Sequence, residues 1–141
     1  MIRYAKLNDL SFIYSLSKDN LPTSFTKESL KEYIKQQEIF HVFIIETDEP
    51  IGYIILWISD TFSQVIDIVI EEEKRNKGYG KKLLKFAFSF LVSNNVKSLS
   101  LEVSQFNLAA IKLYENLGFK RIKTIENYYK DANAYLYIKD L

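Results

Sequence analysis

The 141-residue chain contains no cysteine, one histidine, four glycines and two prolines. The absence of cysteine excludes disulfides, thiolate metal sites and cysteine nucleophiles. A single histidine also excludes His-rich metal sites, and we expect His41 to be a structural strand residue. No apolar run reaches the roughly 18 residues of a membrane span, and the first residues lack the apolar segment of a signal peptide. We therefore expect neither a bound metal nor a membrane partner.

Neither sign of charge dominates the sequence. Nineteen Lys and Arg residues against eighteen Asp and Glu residues give a formal net charge of +1, so a general attraction to nucleic acid is not indicated. Apolar residues make up 48% of the chain, which argues against disorder. The length fits a single domain, which we place at residues 1–141. This composition is compatible with a cytoplasmic enzyme that acts on small molecules or peptides.

Hydrophobic periodicity predicts strands and helices in alternation. Strands are expected at residues 2–5, 40–46, 51–58, 65–70, 98–103, 119–126 and 135–139, and helices at about 9–18, 26–35, 80–94 and 107–117. Asn8 or Asp9, Thr26 and Asn107 are the candidate helix N-caps. Residues 65–70 are apolar except for Asp67, which indicates a central strand buried on both faces. The order predicts a mixed sheet with helices on both faces.

Two of the four glycines fall within one short segment, Arg75-Asn76-Lys77-Gly78-Tyr79-Gly80, between a predicted strand and a predicted helix. Glycine lets the backbone approach a ligand closely, and the free N–H groups at a helix start attract anions. The segment 71–85 holds three acidic and six basic residues, so phosphates are the natural ligand. A plain strand-to-helix turn with a solvated basic helix is the alternative. The patterns of a P-loop and of a Rossmann loop are both missing.

Arg75, Gly78 and Gly80 match the [QR]-x-x-G-x-[GA] motif of the GNAT superfamily, and residues 107–119 are similar to its N-x-x-A-x-x-[LF]-Y-x-x-x-G-F segment. The resemblance covers the whole chain. It implies the α/β (mixed α+β) GNAT fold, a twisted mixed sheet of about six to seven strands with about four helices. It also implies acetyl-CoA as cosubstrate, direct acetyl transfer to an amine and no metal. The implied cofactor-binding residues are Ile68, Val69, Ile70, Arg75, Asn76, Lys77, Gly78, Tyr79, Gly80, Lys81 and Asn107.

Acetyl transfer needs a base for the amine, an acid for the departing thiolate and a donor to the carbonyl oxygen. The resemblance implies that Glu102 is the base, that Tyr114 is the acid, and that a backbone N–H near residues 68–70 is the donor. Glu102 could instead be a solvated strand residue, and Tyr114 an aromatic residue that only packs helix against sheet. Asn107 could both cap its helix and contact the pantetheine arm.

Three segments resemble the bacterial ribosomal-protein N-terminal alanine acetyltransferases: Leu101-Glu102-Val103 followed by Asn107, Ser24-Phe25-Thr26, and Asn127-Tyr128-Tyr129. This resemblance implies that the two tyrosines bind the acceptor, although they could be plain strand aromatics. It also implies a protein N-terminus as acceptor, namely the N-terminal alanine of a small-subunit ribosomal protein. Two alternatives stay open. One is acetylation of a polyamine, aminoglycoside or amino sugar, and the other, less favoured, is a non-catalytic CoA-binding module.

Overall fold

The computed structural model describes residues 1–20 and 25–141. Ser24, one of the residues that carry the resemblance, lies outside this part of the chain. The described strands are β1 (Ile2–Tyr4), β2 (Phe40–Glu46), β3 (Pro50–Ser59), β4 (Phe62–Ile70), β5 (Ser98–Ser104), β6 (Lys120–Tyr129) and β7 (Ala132–Asp140). The described α-helices are α1 (Leu10–Asn20), α2 (Lys27–Lys35), α3 (Tyr79–Ser93) and α4 (Leu108–Asn116).

All seven strands form one mixed sheet in the order β1-β2-β3-β4-β5-β7-β6. Only β4 and β5 are parallel, and α3 makes the crossover that a parallel pair requires. The predicted mixed α/β fold is therefore confirmed. None of the helices in the described residues is long and apolar enough to cross a membrane.

Each face of the sheet carries its own apolar cluster. The first cluster joins α3 and α4 to the sheet, and the spacing of Leu83, Leu84, Ala87 and Leu91 along α3 gives that helix one fully buried face. The second cluster joins α1 and α2 to the opposite face, and its buried members are Ala5, Ile13, Leu30, Ile34, Val42, Ile44, Tyr53, Ile55 and Val69. The position of a side chain on the sheet therefore decides which pair of helices it faces.

The sheet opens between β4 and β5. Pairing of these strands ends at Gln64 and Ser100, so residues 65–70 and 101–104 have no ladder partner across this space, which we call the β4–β5 gap. A β-bulge precedes it on β4, because Ile55 pairs with Asp67 whereas its neighbour Leu56 pairs with Val65. Bulges re-aim the side chains that follow them. Here the bulge turns Asp67 toward the face covered by α1 and α2.

Of the three predicted helix N-caps, the one for α1 is wrong and those for α2 and α4 are correct. A 3-10 turn at Leu7–Asp9 precedes α1, so neither Asn8 nor Asp9 caps that helix. Asp9 instead accepts hydrogen bonds from the Lys6 backbone N–H at 2.7 Å and from the Arg3 guanidinium at 2.8 and 3.0 Å. Thr26 caps α2 by accepting from the N–H of Ser29 at 3.0 Å, as expected. Asn107 caps α4 by accepting from the N–H of Ala110 at 3.2 Å.

The last hairpin is longer than its hydrophobic pattern predicts. Strand β6 continues to Tyr129 and β7 begins at Ala132, whereas the sequence predicts an end at Glu126 and a start at Tyr135. Two register shifts, at residues 121–123 and 125–129, break the alternation. Irregular pairing of this kind hides a strand from a period-two pattern.

Candidate active site

The loop between β4 and α3 presents free backbone amides. Gly78 has φ +86, a left-handed angle that L side chains rarely adopt, and a Cβ at this position would meet nothing within 4 Å. The first hydrogen bond of α3 runs from the Lys82 N–H to the Gly78 carbonyl at 3.0 Å, and no side chain caps the helix. The N–H groups of residues 79–81 therefore have no helical acceptor. An open start of this kind fits an anionic group.

Arg75 connects this loop to the end of β4 through a hydrogen bond. Its Nε donates to the Ile70 carbonyl at 2.9 Å. Asn76 adds a second left-handed residue at φ +61, so the chain curls between strand and helix. The side chains of Lys77 and Lys81 are exposed beside the free amides. Backbone dipoles and lysine charges thus act together, and the loop fits an anionic group such as a phosphate.

The edge of β4 along the gap carries unpaired peptide groups. The Glu71 N–H donates to the Ile51 carbonyl at 2.8 Å, which fixes the side of β4 that pairs with β3. Because peptide groups of a strand alternate between its two edges, Val69 also directs its peptide groups to β3, and Ile68 and Ile70 direct theirs to the gap. Ile70 uses its carbonyl for Arg75. The Ile68 N–H bonds the Asp67 carboxylate, so the Ile68 carbonyl is the group best placed to pair with a ligand in the gap.

Glu102 lies on the wall of the gap formed by β5. Its strand alternates buried Leu101 and Val103 with half-buried Glu102, so the carboxylate lies on the face opposite α3 and α4. The hydroxyl of Tyr128 hydrogen-bonds Glu102, and this bond, with partial burial, raises the pKa of Tyr128 to about 12. The ring of Tyr129 packs edge-on against that of Tyr128, with centroids 4.9 Å apart. The two tyrosines and the carboxylate therefore form one group.

Tyr114 projects from α4 and is 8% exposed. Its ring packs edge-on against Phe119, with centroids 5.7 Å apart. Burial raises the pKa of Tyr114, and the nearby charge of Asp67 and then Tyr129 raise it further. The hydroxyl therefore stays protonated at neutral pH, as an acid must before it acts.

Asp67 is the residue that sequence analysis misses. It is 8% exposed, and its Oδ2 accepts a hydrogen bond of 2.5 Å from the fully buried Tyr53 hydroxyl. Burial raises the pKa of Asp67 to about 6, although the hydrogen bonds from Tyr53 and from the Ile68 N–H oppose that rise. Burial also raises the pKa of Tyr129, as do, in order, the charges of Glu102 and Asp67. The only sequence signal that points to Asp67 is that it is a lone carboxylate in an apolar strand.

Hydrogen bonds between backbone and side-chain amides position Tyr128 and Tyr129 beside β5. The Gln105 N–H donates to the Asn133 carbonyl at 3.0 Å, and the Asn133 N–H returns a bond to Gln105 Oε1 at 3.1 Å. Asn133 Oδ1 accepts from the N–H of Asn127 at 2.9 Å, and Asn127 has a left-handed φ of +54. These bonds join the β6–β7 turn to the loop that leads to the Asn107 cap.

The predicted site residues thus occupy two places along one gap. The loop of residues 75–81 lies beyond the end of β4, whereas Glu102, Tyr114, Tyr128 and Tyr129 surround the gap itself. His41 lies on β2, where its Nδ1 is 3.1 Å from the Tyr4 hydroxyl. Within residues 1–20 and 25–141, no group of three or more His, Cys, Asp or Glu side chains is placed to hold a metal ion. The gap joins an anion-binding end to a centre with two carboxylates and a buried phenol.

Comparisons with known proteins show which family model and which relatives this chain matches. Residues 10–119 match the model of the acetyltransferase (GNAT) family. An N-alpha-acetyltransferase of Sulfurisphaera tokodaii is 33% identical over 150 residues, which cover 96% of this chain and 89% of that protein. A protein of Bacillus subtilis, provisionally named a [ribosomal protein bS18]-alanine N-acetyltransferase, is 28% identical over 131 residues, which cover 92% of this chain and 87% of that protein.

A solved structure agrees in fold over the whole chain. The crystal structure of the ribosomal-protein-S18-alanine N-acetyltransferase from Escherichia coli superposes with a TM-score of 0.89 and covers 99% of this chain and 92% of that chain. The two sequences are 23% identical, so this likeness concerns the fold alone. The family match and the named relatives carry the assignment of chemistry.

Proposed function

The chain belongs to the acetyltransferase (GNAT) family and is an acetyl-CoA-dependent N-acetyltransferase, and from this premise we propose that it acetylates the N-terminal alanine of a small-subunit ribosomal protein. Relatives named N-alpha-acetyltransferase support a protein N-terminus as acceptor. The Bacillus subtilis relative supports the finer choice of a ribosomal alanine. An acceptor of this kind implies that the enzyme acts in the cytoplasm.

Acetyl-CoA supplies the thioester, and the residues along the gap fit the rest of the molecule. The free amides at 79–81 and the Lys77 and Lys81 side chains would hold the diphosphate. The Ile68 carbonyl would pair with the pantetheine arm, and a backbone N–H on this edge of β4 would donate to the carbonyl oxygen of the thioester. Asn107 lies at the start of α4, where its cap leaves the side chain exposed beside the gap.

Two side chains would handle protons during transfer. Tyr114 would donate its hydroxyl proton to the sulfur, since it is buried and protonated beside the gap. Glu102 would take a proton from the amine, directly or through water. Its bond with Tyr128 orients the carboxylate at the rim of the gap.

The observation that carries the choice of acceptor is the contact between Glu102 and the aromatic pair. Tyr128 is 47% exposed while its hydroxyl bonds the catalytic candidate. Tyr129, half-buried, lines the same rim. An extended peptide that delivers its first residue into the gap would contact both rings, whereas a small amine would reach the carboxylate without them.

A thiol-release assay tests this proposal. The acceptors are a ribosomal-protein peptide that begins with alanine, the same peptide with a blocked N-terminus, and spermidine, kanamycin and glucosamine. We expect release of coenzyme A with the free peptide and none with the blocked one, with mass spectrometry placing the acetyl group on the α-amine. Turnover on a small amine and none on the peptide would reject the ribosomal acceptor. Binding of acetyl-CoA without turnover on any amine would favour a non-catalytic module.

A further inference from the structure

We propose that Asp67 is a second catalytic carboxylate, which binds the protonated amine of the acceptor and removes its first proton. The inference rests on the proposed function, because it concerns the acceptor amine of the same reaction. It adds a residue to which neither the sequence motifs nor the family match assigns a role.

The position of Asp67 is the first support. The bulge in β4 places its side chain on the same face as Glu102, at the level where the strands have just separated. The charges of both carboxylates raise the pKa of Tyr129, and the charge of Asp67 raises the pKa of Tyr114. Asp67 and Glu102 therefore lie on opposite walls of the gap, and the phenols that surround it lie near them.

The charge of Asp67 is the second support. Among the described residues, both ion pairs shorter than 4.0 Å are made by Arg3, and neither involves Asp67. Glu102 of β5 lies across the gap from Asp67 and is itself a carboxylate. The other groups that face Asp67 are neutral donors from β3 and β4 and the phenols of α4 and β6, with Ser17 of α1 behind Tyr53. A buried carboxylate without a cation is costly for a fold. An acceptor ammonium supplies the missing cation.

The chemistry requires two proton losses from the amine. The acceptor arrives as an ammonium, which must lose one proton before its nitrogen can attack. When the N–C bond forms and the C–S bond breaks, the nitrogen loses a second proton and the sulfur gains one. In our assignment Asp67 takes the first proton and returns it to solvent. Tyr114 donates its proton to the sulfur. Glu102 takes the second proton from the nitrogen and passes it to Tyr114, which is then protonated again. Only the first proton is therefore released to solvent.

The first test compares Asp67→Asn with the wild-type enzyme on two matched acceptors. One is the alanine peptide and the other carries an aminooxyacetyl group in place of alanine, whose amine is uncharged at neutral pH. We expect kcat/KM for the alanine peptide to fall by about 100-fold or more, the lower range for general-base catalysis. For the aminooxy peptide we expect a much smaller loss. Asp140→Asn, an exposed change at the far end of β7, is the control.

The second test uses a residue that does not touch the acceptor. Tyr53 is fully buried, and its hydrogen bond lowers the pKa of Asp67. Tyr53→Phe should therefore raise that pKa and move the acid limb of the kcat/KM profile to higher pH, measured with the alanine peptide, whose amine stays protonated throughout the acid range. The aminooxy peptide, which does not need Asp67 as a base, should lack this limb. Asp67→Asn should remove the limb.

The outcomes separate this inference from the proposed function. Equal losses with both acceptors in Asp67→Asn, or an acid limb that survives in it, would overturn the role of Asp67. If the wild-type enzyme acetylates spermidine but no peptide, the ribosomal acceptor is rejected, and the pH profile is then measured with spermidine. Melting temperature gives a readout without turnover: a role confined to structure predicts that Asp67→Asn lowers it, and our assignment predicts that it rises.

Discussion

Asp9 and Asp67 are buried to nearly the same degree, 6% and 8% exposed, but they lie in two different regions. Asp9 lies in a corner near the N-terminus, where Arg3 bonds both its oxygens and also bonds Glu46. Asp67 faces the β4–β5 gap, and its hydrogen-bond partners in the described part of the chain are the neutral Tyr53 hydroxyl and Ile68 N–H. Arg3 lowers the pKa of Asp9, whereas burial raises that of Asp67.

The difference teaches that burial of a charge does not by itself mark a site. In the Arg3 corner every charge finds its partner within the fold, so the corner can only stabilise. In the gap, the Asp67 carboxylate has no ion-pair partner among the described residues, and the Ile68 carbonyl faces away from β3. Such a region loses stability and gains the ability to bind a ligand. The two regions should therefore respond to substitution in opposite ways.

The largest effect should come from Tyr114→Phe. Loss of the hydroxyl removes the proposed acid, and turnover should fall by about 100-fold or more. Acetyl-CoA affinity, measured by calorimetry, should hardly change because the ring stays in place. Tyr33→Phe, in a tyrosine that stacks on Phe40 with centroids 4.1 Å apart, is the control. Unchanged turnover in Tyr114→Phe would remove its role as acid.

Asp9→Asn should show the reverse pattern, with stability lost and turnover kept. Breaking this ion pair should lower the free energy of unfolding by about 2–3 kcal/mol, less than a fully buried pair would lose, because the Arg3 side chain is 23% exposed. The pKa of Asp9 is lowered in the fold, so its contribution is present above its ordinary pKa and disappears as the pH falls through the folded value. Urea unfolding at pH 7 and pH 3 measures both effects. A variant as stable as the wild-type protein would contradict the stabilising role assigned to the Arg3–Asp9 ion pair.

Asp67→Asn should raise stability while it impairs the enzyme. Tyr53 can still donate to the amide oxygen, and the unpaired charge is gone, so the gain should be about 1–3 kcal/mol at pH 7. The sign follows from the raised pKa of about 6 in the fold: the carboxylate destabilises above that value, and the penalty fades as the pH falls toward the ordinary value. The gain should therefore shrink between pH 7 and about pH 4. Parallel urea titrations across that range check it.

The smallest effect should come from Tyr128→Phe. This change removes the hydrogen bond to Glu102 but leaves the aromatic surface, and the ring is 47% exposed. We expect kcat for the alanine peptide to fall by a few-fold, on the order of one hydrogen bond, because Glu102 loses a partner that orients it, while KM hardly changes. A rise in KM with kcat unchanged would show that the hydroxyl serves the peptide rather than Glu102.

Patterns in the sequence anticipate the parts of this fold that rest on regular spacing. The mixed sheet, the Thr26 and Asn107 caps and the glycine loop follow from periodicity, capping chemistry and the rarity of glycine. The start of α1 does not follow from the sequence, because Asp9 bonds Arg3, a contact made through the folded first strand. The full length of the last hairpin does not follow either, because register shifts interrupt its alternation.

The candidate site divides in the same way. Glu102 and Tyr114 belong to motifs, so the resemblance proposes roles for them, and these roles stay predictions. Asp67 belongs to no motif, and its setting depends on a bulge, on Tyr53 from the neighbouring strand and on the separation of β4 from β5. These are long-range features that spacing along the chain does not encode.

The central claim is that the β4–β5 gap, with the loop beyond it, receives acetyl-CoA. A crystal structure with coenzyme A tests it most directly. We predict a diphosphate against the N–H groups of residues 79–81, a pantetheine arm paired with Ile68, and a sulfur beside the Tyr114 hydroxyl. A coenzyme bound elsewhere, with the gap empty at saturating concentration, would contradict the account.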